Sequence, residues 1–180
     1  RGREQEFEEI LGYHLEQAFS YRAELGLPER GELGARAGGL LFGAGRRAAT
    51  RGDISAAIGL LTRAATVTPA DDPSRGDLLT ELAEALREGG DFSRADRVLA
   101  EALACAASRA DRAVEAQARI ARLRVQLATN REPAAGEVEE TVAAAIEVLT
   151  ELGDERRLAK AWFLRAWLEW LGCRATATAE

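Results

Sequence analysis

One stretch of this sequence repeats itself, and a repeat constrains a fold strongly, because a unit that recurs must bury its apolar face against its own copies. Ala44-Gly45, Ala48, Gly52-Asp53, Ala57, Leu61, Ala64 and Pro69 recur as Leu82-Ala83, Leu86, Gly90-Asp91, Ala95, Leu99, Ala102 and Ala107, all at a 38-residue offset. Each unit reads as helix, tight Gly-Asp turn, helix. Glycine takes the positive φ that ends one helix, and aspartate caps the next. Small residues at the centre of the first helix, and two alanines seven apart in the second, let the paired helices approach closely, with Leu61 and Leu99 filling the space between them.

The helical pattern extends beyond the two clear units. Phe7, Ile10, Leu11, Leu15, Ala18 and Phe19 make an i, i+3, i+4 stripe that predicts a first helix over Glu4 to Leu25, broken by Pro28. Further helices are predicted over Glu32 to Arg51, Asp53 to Val67, Ser74 to Glu88, Asp91 to Ala107, Asp111 to Thr129, Ala135 to Leu152 and Asp154 to Leu171. Short loops separate them at Pro69 to Pro73, Ser108 to Asp111, Asn130 to Pro133 and Gly153-Asp154. Short connections force neighbours antiparallel, so the expected fold is all-α: about eight helices forming a single domain over 1–180. Its expected parts are a junction helix (1–28), hairpins (32–69, 74–107 and 111–152) and an unpaired C-terminal helix (154–171). The third hairpin keeps the repeat only loosely.

Composition agrees with closely packed helices. Apolar residues make up 47% of the chain, and alanine and leucine dominate over β-branched and aromatic types. With 24 basic and 30 acidic residues the net charge is −6, so no overall positive field is present to hold nucleic acid. No apolar run reaches the roughly 20 residues of a membrane span, and Arg1 to Glu9 reads as acidic rather than as a signal peptide, which predicts a cytoplasmic location. Cys105 and Cys173 are far apart and lack CxxC company, so neither a disulfide framework nor a zinc site is expected. Methionine is absent and Lys160 is the one lysine, as expected of a piece of a larger protein from a GC-rich bacterial genome.

The spacing of Ala44-Gly45, Ala57, Leu61, Ala64 and Pro69 resembles the tetratricopeptide (TPR) signature, with Leu41 at the usual tryptophan and Ala48 at the usual tyrosine. The 38-residue period exceeds the roughly 34 of that family. The resemblance implies a right-handed solenoid of stacked hairpins. Glu9-Ile10-Leu11-Gly12-Tyr13-His14-Leu15-Glu16-Gln17-Ala18, followed by Arg22-Ala23-Glu24-Leu25-Gly26, looks like the junction below the ATPase module in large bacterial signalling proteins of the nucleotide-cyclase or transcriptional-regulator type. That likeness, which covers nearly the whole chain, implies a regulatory sensor arm. No residue here matches the catalytic motifs of those attached domains.

Motifs that could carry chemistry have simpler readings. Gly43-Ala44-Gly45-Arg46-Arg47-Ala48 matches GxGxxA but lacks a βαβ setting and a well-placed acidic residue, so it reads as helix packing. Arg51-Gly52-Asp53 spells an adhesion tripeptide, yet Gly90-Asp91 repeats the same turn. His14 is the single histidine, which excludes a His metal cluster and a conventional triad. The glutamates of 6–9 and 137–140 read as solvated helix faces. No enzyme activity, metal or cofactor is therefore expected.

Partner contacts are expected on the first helices of the hairpins, which face the concave side of such stacks. The candidates are Phe42, Arg46, Asp77, Thr80, Glu84 and Arg87, a mixed-sign set suited to a peptide or protein partner. Tyr13 and His14 are candidates for contact with an adjacent domain. Trp162, Phe163, Trp167 and Trp170 concentrate aromatic surface on the last helix, with the latter three on one face, predicting an exposed patch able to form a homodimer. The function expected is a binding or scaffold module of a signalling protein, with oligomerisation as the alternative.

Overall fold

A computed structural model of the chain describes residues 2–27, 30–129 and 135–177, with side chains over 7–27, 31–129 and 136–170. Among these residues the elements are eight helices: α1 (Gly2–Glu24), α2 (Arg30–Thr50), α3 (Ile54–Val67), α4 (Arg75–Glu88), α5 (Phe92–Arg109), α6 (Arg112–Ala128), α7 (Ala135–Glu151) and α8 (Glu155–Ala177). The expected breaks at Pro28 and Asn130 to Pro133, and the Cys173 side chain, lie outside the described residues. The contacts divide the chain into two compact units, Arg1–Cys105 and Ala106–Glu180, where the sequence suggested one domain.

In the first unit α2 packs against both α1 and α3. Gly34, Gly38 and Gly45 share one face of α2, at i, i+4 and i+11, and that face meets α3. A Cβ at Gly34 would overlap the Val67 carbonyl oxygen, one at Gly38 would overlap the Thr68 hydroxyl, and one at Gly45 would sit 2.7 Å from Leu61 Cγ. The absence of these three side chains sets the distance between the helices. Leu61, 1% exposed, occupies the notch beside Gly45. The recurring positions Ala44, Ala48, Ala57, Leu61 and Ala64, and their counterparts Leu82, Ala83, Leu86, Ala95, Leu99 and Ala102, are all buried. The 38-residue register is thus a packing register.

A guanidinium closes the end of α3. Helices leave their last carbonyls without intrahelical donors, and Arg75 at the start of α4 donates from Nη1 to the carbonyls of Ala65 (3.1 Å) and Thr68 (2.7 Å). Its Nη2 reaches Glu101 of α5 at 2.6 Å, while Arg94 of α5 donates to the Thr62 hydroxyl of α3 at 2.8 Å. One arginine therefore joins the α3 terminus to both members of the next hairpin.

The tight turns share one hydrogen-bond pattern. At Gly52-Asp53, the Asp53 N–H bonds the Ala48 carbonyl (3.0 Å) and the Gly52 N–H bonds that of Ala49 (2.9 Å), with Gly52 at φ 78°. This is a Schellman closure. Asp53 then caps α3 by accepting from the Ala56 N–H at 3.0 Å. Gly90-Asp91 and Gly153-Asp154 repeat the arrangement. Ala110-Asp111 does so with alanine in the left-handed position, at φ 52°.

The second unit is built on Ala116, Ile120 and Leu123 of α6, Val142, Ala145 and Leu149 of α7, and Ala161 and Leu164 of α8, which form one buried cluster. The last helix packs on α7 through Ala161 and Leu164 and contacts α6 as well. It also continues to Ala177 instead of stopping at Leu171. The Gly-Asp turn, which lies within hairpins in the first unit, joins α7 to α8 in the second, and this accounts for the loose repeat expected of the third pair. Arg157 of α8 donates to Gln117 of α6 at 2.6 Å, supplying a partner for a polar side chain that is 6% exposed.

Two glycines on α2 give a test with opposite signs. Gly34→Ala is expected to destabilise the fold by about 1–3 kcal/mol, because the overlap is with backbone, whereas Gly39→Ala, where nothing lies within 4 Å, is expected to stabilise it by about 0.5–1 kcal/mol. Urea denaturation followed by circular dichroism measures both. Ala110→Gly is expected to raise stability by about 1 kcal/mol through relief of the left-handed backbone, visible as an increase in Tm.

Candidate functional site

The candidate contacts on α2 and α4 have different surroundings. Phe42 is half-buried, and the Arg46 guanidinium lies over its ring at 5.7 Å, a cation–π pair. Asp77 is half-buried in the first turn of α4. Glu84 accepts from Arg87 Nε at 3.1 Å, and Arg87 Nη2 donates to Glu88 at 3.1 Å. Thr80 does not belong to a partner-facing set. It is 0% exposed, and its hydroxyl donates to the Gly76 carbonyl at 2.8 Å. Its neighbours Leu78, Leu79, Leu82 and Ala83 are buried too, so α4 is enclosed on most sides and has little free face on which Thr80 could emerge.

Tyr13 and His14 are exposed on α1, their rings edge to face at 5.5 Å. Beneath them lies an ion pair between helices: Arg63 of α3 donates from Nε to both carboxylate oxygens of Glu16 (3.1 and 3.0 Å) and from Nη2 to Oε2. The hydrogen bond to Glu16 raises the pKa of Arg63 above its ordinary value, against the opposing effect of burial. The same guanidinium stands 5.8 Å from the Tyr13 ring centre. Glu9, Ile10, Tyr13 and Arg63 line an open depression of about 400 Å³ there. Nearby, Arg47 pairs with Glu8 at 2.9 Å. Sequence reading missed the Glu16–Arg63 pair because no local pattern relates residues 47 apart.

The second unit carries two grooves. One, of about 460 Å³, runs between α6 and α7. Arg112, Glu115 and Arg119 stand on one wall and Glu137, Glu140 and Thr141 on the other, over a floor of Ala116, Ala144, Ala145 and Val148. Arg112 pairs with Glu151 (2.7 Å) and Arg119 with Glu115 (2.7 Å), both at exposed positions. The other groove, about 280 Å³, lies between α7 and α8 and is lined by Val138, Glu139, Val142, Ala143, Arg165, Leu168 and Glu169. On α8, Trp162, Trp167 and Trp170 are 48%, 41% and 53% exposed. Arg165 lies 5.4 Å from the Trp162 ring centre.

At the entrance to α8, burial pushes the Asp154 carboxyl up, but the Arg157 backbone N–H and guanidinium outweigh it and hold the group below the usual carboxylate value. Among the described residues, no cluster of three or more His, Cys, Asp or Glu side chains is placed to hold a metal ion. No helix among them is long and apolar enough to cross a membrane.

Stacked antiparallel hairpins with small residues at the seams and Gly-Asp turns define a TPR-like helical-repeat fold. A solved structure agrees with this fold. The chain is similar to TPR-like repeats described as those of a kinesin light chain of Podosopora anserina, in a point-substituted crystal form, with a TM-score of 0.50 and 18% identity over 99% of this chain and 92% of that one. A second crystal structure of such repeats from the same organism gives a TM-score of 0.49 and 18% identity over 92% and 83% of the respective chains. No protein-family model and no curated protein matches the sequence.

The Asp154 environment predicts a pH dependence. A carboxyl with a lowered folded pKa contributes stability that is present above its unfolded value, about 3.9, and lost as the pH falls through the folded value. Asp154→Asn keeps a capping side chain but gives up the ion pair with Arg157, so it is expected to cost about 0.5 kcal/mol at pH 6. The gap from the parent chain is expected to shrink as the pH falls below about 4. Urea titrations at the two pH values measure it.

Proposed function

We propose that the chain is a protein- or peptide-binding regulatory module, without catalytic chemistry of its own, serving a larger bacterial signalling protein in the cytoplasm. The α6/α7 groove carries this reading. Its alanine floor lets a partner's backbone or short side chains approach, and its charged walls present both signs within one channel, the pattern that orients a polypeptide carrying both charges. Two further features support the reading: the repeat positions are used up in packing, and the exposed Tyr13–His14 pair on α1 stands where the junction-like sequence lies. Phe42, Arg46, Asp77, Glu84 and Arg87 remain proposed contacts on α2 and α4.

In the intact signalling protein, the double variant Arg112→Glu/Arg119→Glu is expected to weaken the response to the regulatory partner by about tenfold or more, the usual consequence of losing interface arginines. Basal nucleotide turnover should be unaltered. An unchanged partner response in this variant, and in a protein lacking residues 32–171, would overturn the proposal.

A second reading, self-association through α8, is favoured by one observation: Phe163, Trp167 and Trp170 form an exposed aromatic stripe, 69%, 41% and 53% accessible. Monomeric soluble proteins rarely expose patches of this kind without use.

A further inference from the structure

The groove between α6 and α7 has two walls of the same spacing. On α6, Arg112, Glu115, Ala116 and Arg119 fall at i, i+3, i+4 and i+7, and on α7 Glu137, Glu140, Thr141 and Ala144 do the same, so each helix turns one face to the channel. Ala116 and Ala145 are buried and Ala144 is exposed. No large side chain fills the space between the walls.

The walls differ in how their polar groups are engaged. On α6, Arg112 is held by Glu151 and Arg119 by Glu115. On α7, neither Glu137 nor Glu140 has an ion-pair partner among the described residues. Glu137 lies in the first turn of α7, where the helix dipole favours a carboxylate, but that effect fades beyond the first turn and leaves Glu140 without such a reason. The Thr141 hydroxyl is unengaged as well. Thr66, Thr80 and Thr150 return their hydroxyls to the carbonyl four residues earlier, whereas half-buried Thr141 makes no such bond. The α7 wall therefore offers two uncompensated carboxylates and a free hydroxyl, a set that charged N–H donors satisfy.

Within each unit the chain shows what lies against a pair of antiparallel helices. α1 lies on α2 with Gly12 against Leu40, and reaches α3 through Glu16 and Arg63. α8 lies on α7 with Ala161 in the shared core, and reaches α6 through Arg157 and Gln117. In both cases a helix puts a small residue at the crossing and sends one charged side chain to the second helix of the pair. The open α6/α7 groove has the receiving half of the same arrangement: alanines at the floor and unengaged acceptors on one wall. Carboxylates three residues apart on a helix stand about 5–6 Å from one another at Cβ, the same spacing as basic residues at i, i+3 or i, i+4 on a facing helix.

We infer, resting on the reading of this groove as the partner site, that its occupant is an amphipathic helix of the partner with lysine or arginine at i, i+3 and i+4 along the edge that faces Glu137 and Glu140. Small residues of that helix lie over Ala116, Ala144 and Ala145. Its other edge is acidic or neutral, so that Arg112 and Arg119 meet no like charge.

The test is titration of the isotope-labelled full chain, followed by amide NMR shifts, with three synthetic peptides: an alanine-faced helix with lysines along one edge and glutamines elsewhere, the same helix with glutamate for each lysine, and the lysine peptide interrupted by a central proline. The lysine helix is expected to bind and to shift amides of α6 and α7. Glu137→Lys/Glu140→Lys is expected to raise its dissociation constant about tenfold or more through like-charge contact, and to admit the glutamate helix in its place. The neutral pair Glu137→Gln/Glu140→Gln is expected to weaken the lysine helix less than the reversal does, and circular dichroism checks that both variants stay helical. If the glutamate helix occupies the groove of the parent chain as well as the lysine helix does, the basic edge is overturned and the groove reading stands. If the proline-interrupted peptide binds as tightly, the helical occupant is overturned. Unchanged affinity of the lysine helix for Glu137→Lys/Glu140→Lys, or no shift in α6 and α7 with any peptide, also overturns the inference. The groove reading itself is decided separately by the partner response of Arg112→Glu/Arg119→Glu in the intact protein.

Discussion

The separation of α2 and α3 is the constraint on which the first unit rests. Three glycines on one face of α2 remove the atoms that would otherwise hold the helices apart, and the Val67 carbonyl, the Thr68 hydroxyl and the Leu61 side chain occupy the space. Once that distance is set, Leu61 is buried to 1% exposure, and α1 can seat Gly12 against Leu40 and Leu41 on the other side of α2. Glycine within a helix carries a conformational cost of about 1 kcal/mol per residue. The dispersion contacts of two closely fitted helices offset it only because the fit is dense.

The second unit reaches a similar end by another route. Its core is made by Ile120, Leu123, Val142, Leu149 and Leu164, with Ala116, Ala145 and Ala161 at the crossings. Between α6 and α7 the walls carry charged side chains above alanines, and an open channel remains. Small residues therefore act in two ways in this chain. Where a glycine meets a bulky partner they bring helices together, and where alanines sit below charged side chains they leave room for something else.

Polar chemistry serves mainly to join elements. Arg75 ties the carbonyl end of α3 to α5, Arg63 fastens α3 to α1 through Glu16, and Arg157 links α8 to Gln117 of α6. Each guanidinium reaches two or more acceptors or a carboxylate in a fixed plane, a geometry that an ammonium group does not reproduce. The abundance of arginine and near absence of lysine thus has a structural use here. Exposed pairs such as Arg112–Glu151 contribute little to stability by themselves.

Much of the fold is legible in the sequence because helix boundaries, caps and turns are local. Gly52-Asp53, Gly90-Asp91 and Gly153-Asp154 announce their turns through the φ that glycine tolerates and the carboxylate that aspartate supplies, and the alanines and leucines in register mark the core. The candidate surface was less legible. Thr80 looks like a polar position on a partner-facing helix, yet it is enclosed, because a hydroxyl that returns to its own helix at Gly76 can be buried at little cost. The glycine notches, the Glu16–Arg63 pair and the packing of α8 on α7 depend on residues brought together from distant positions, and only tertiary structure decides those. Sequence by itself determined that this chain is a stack of helices joined by Gly-Asp turns. Which faces are closed, and which stripes on α1 and α8 remain open, follows from where the helices come to rest.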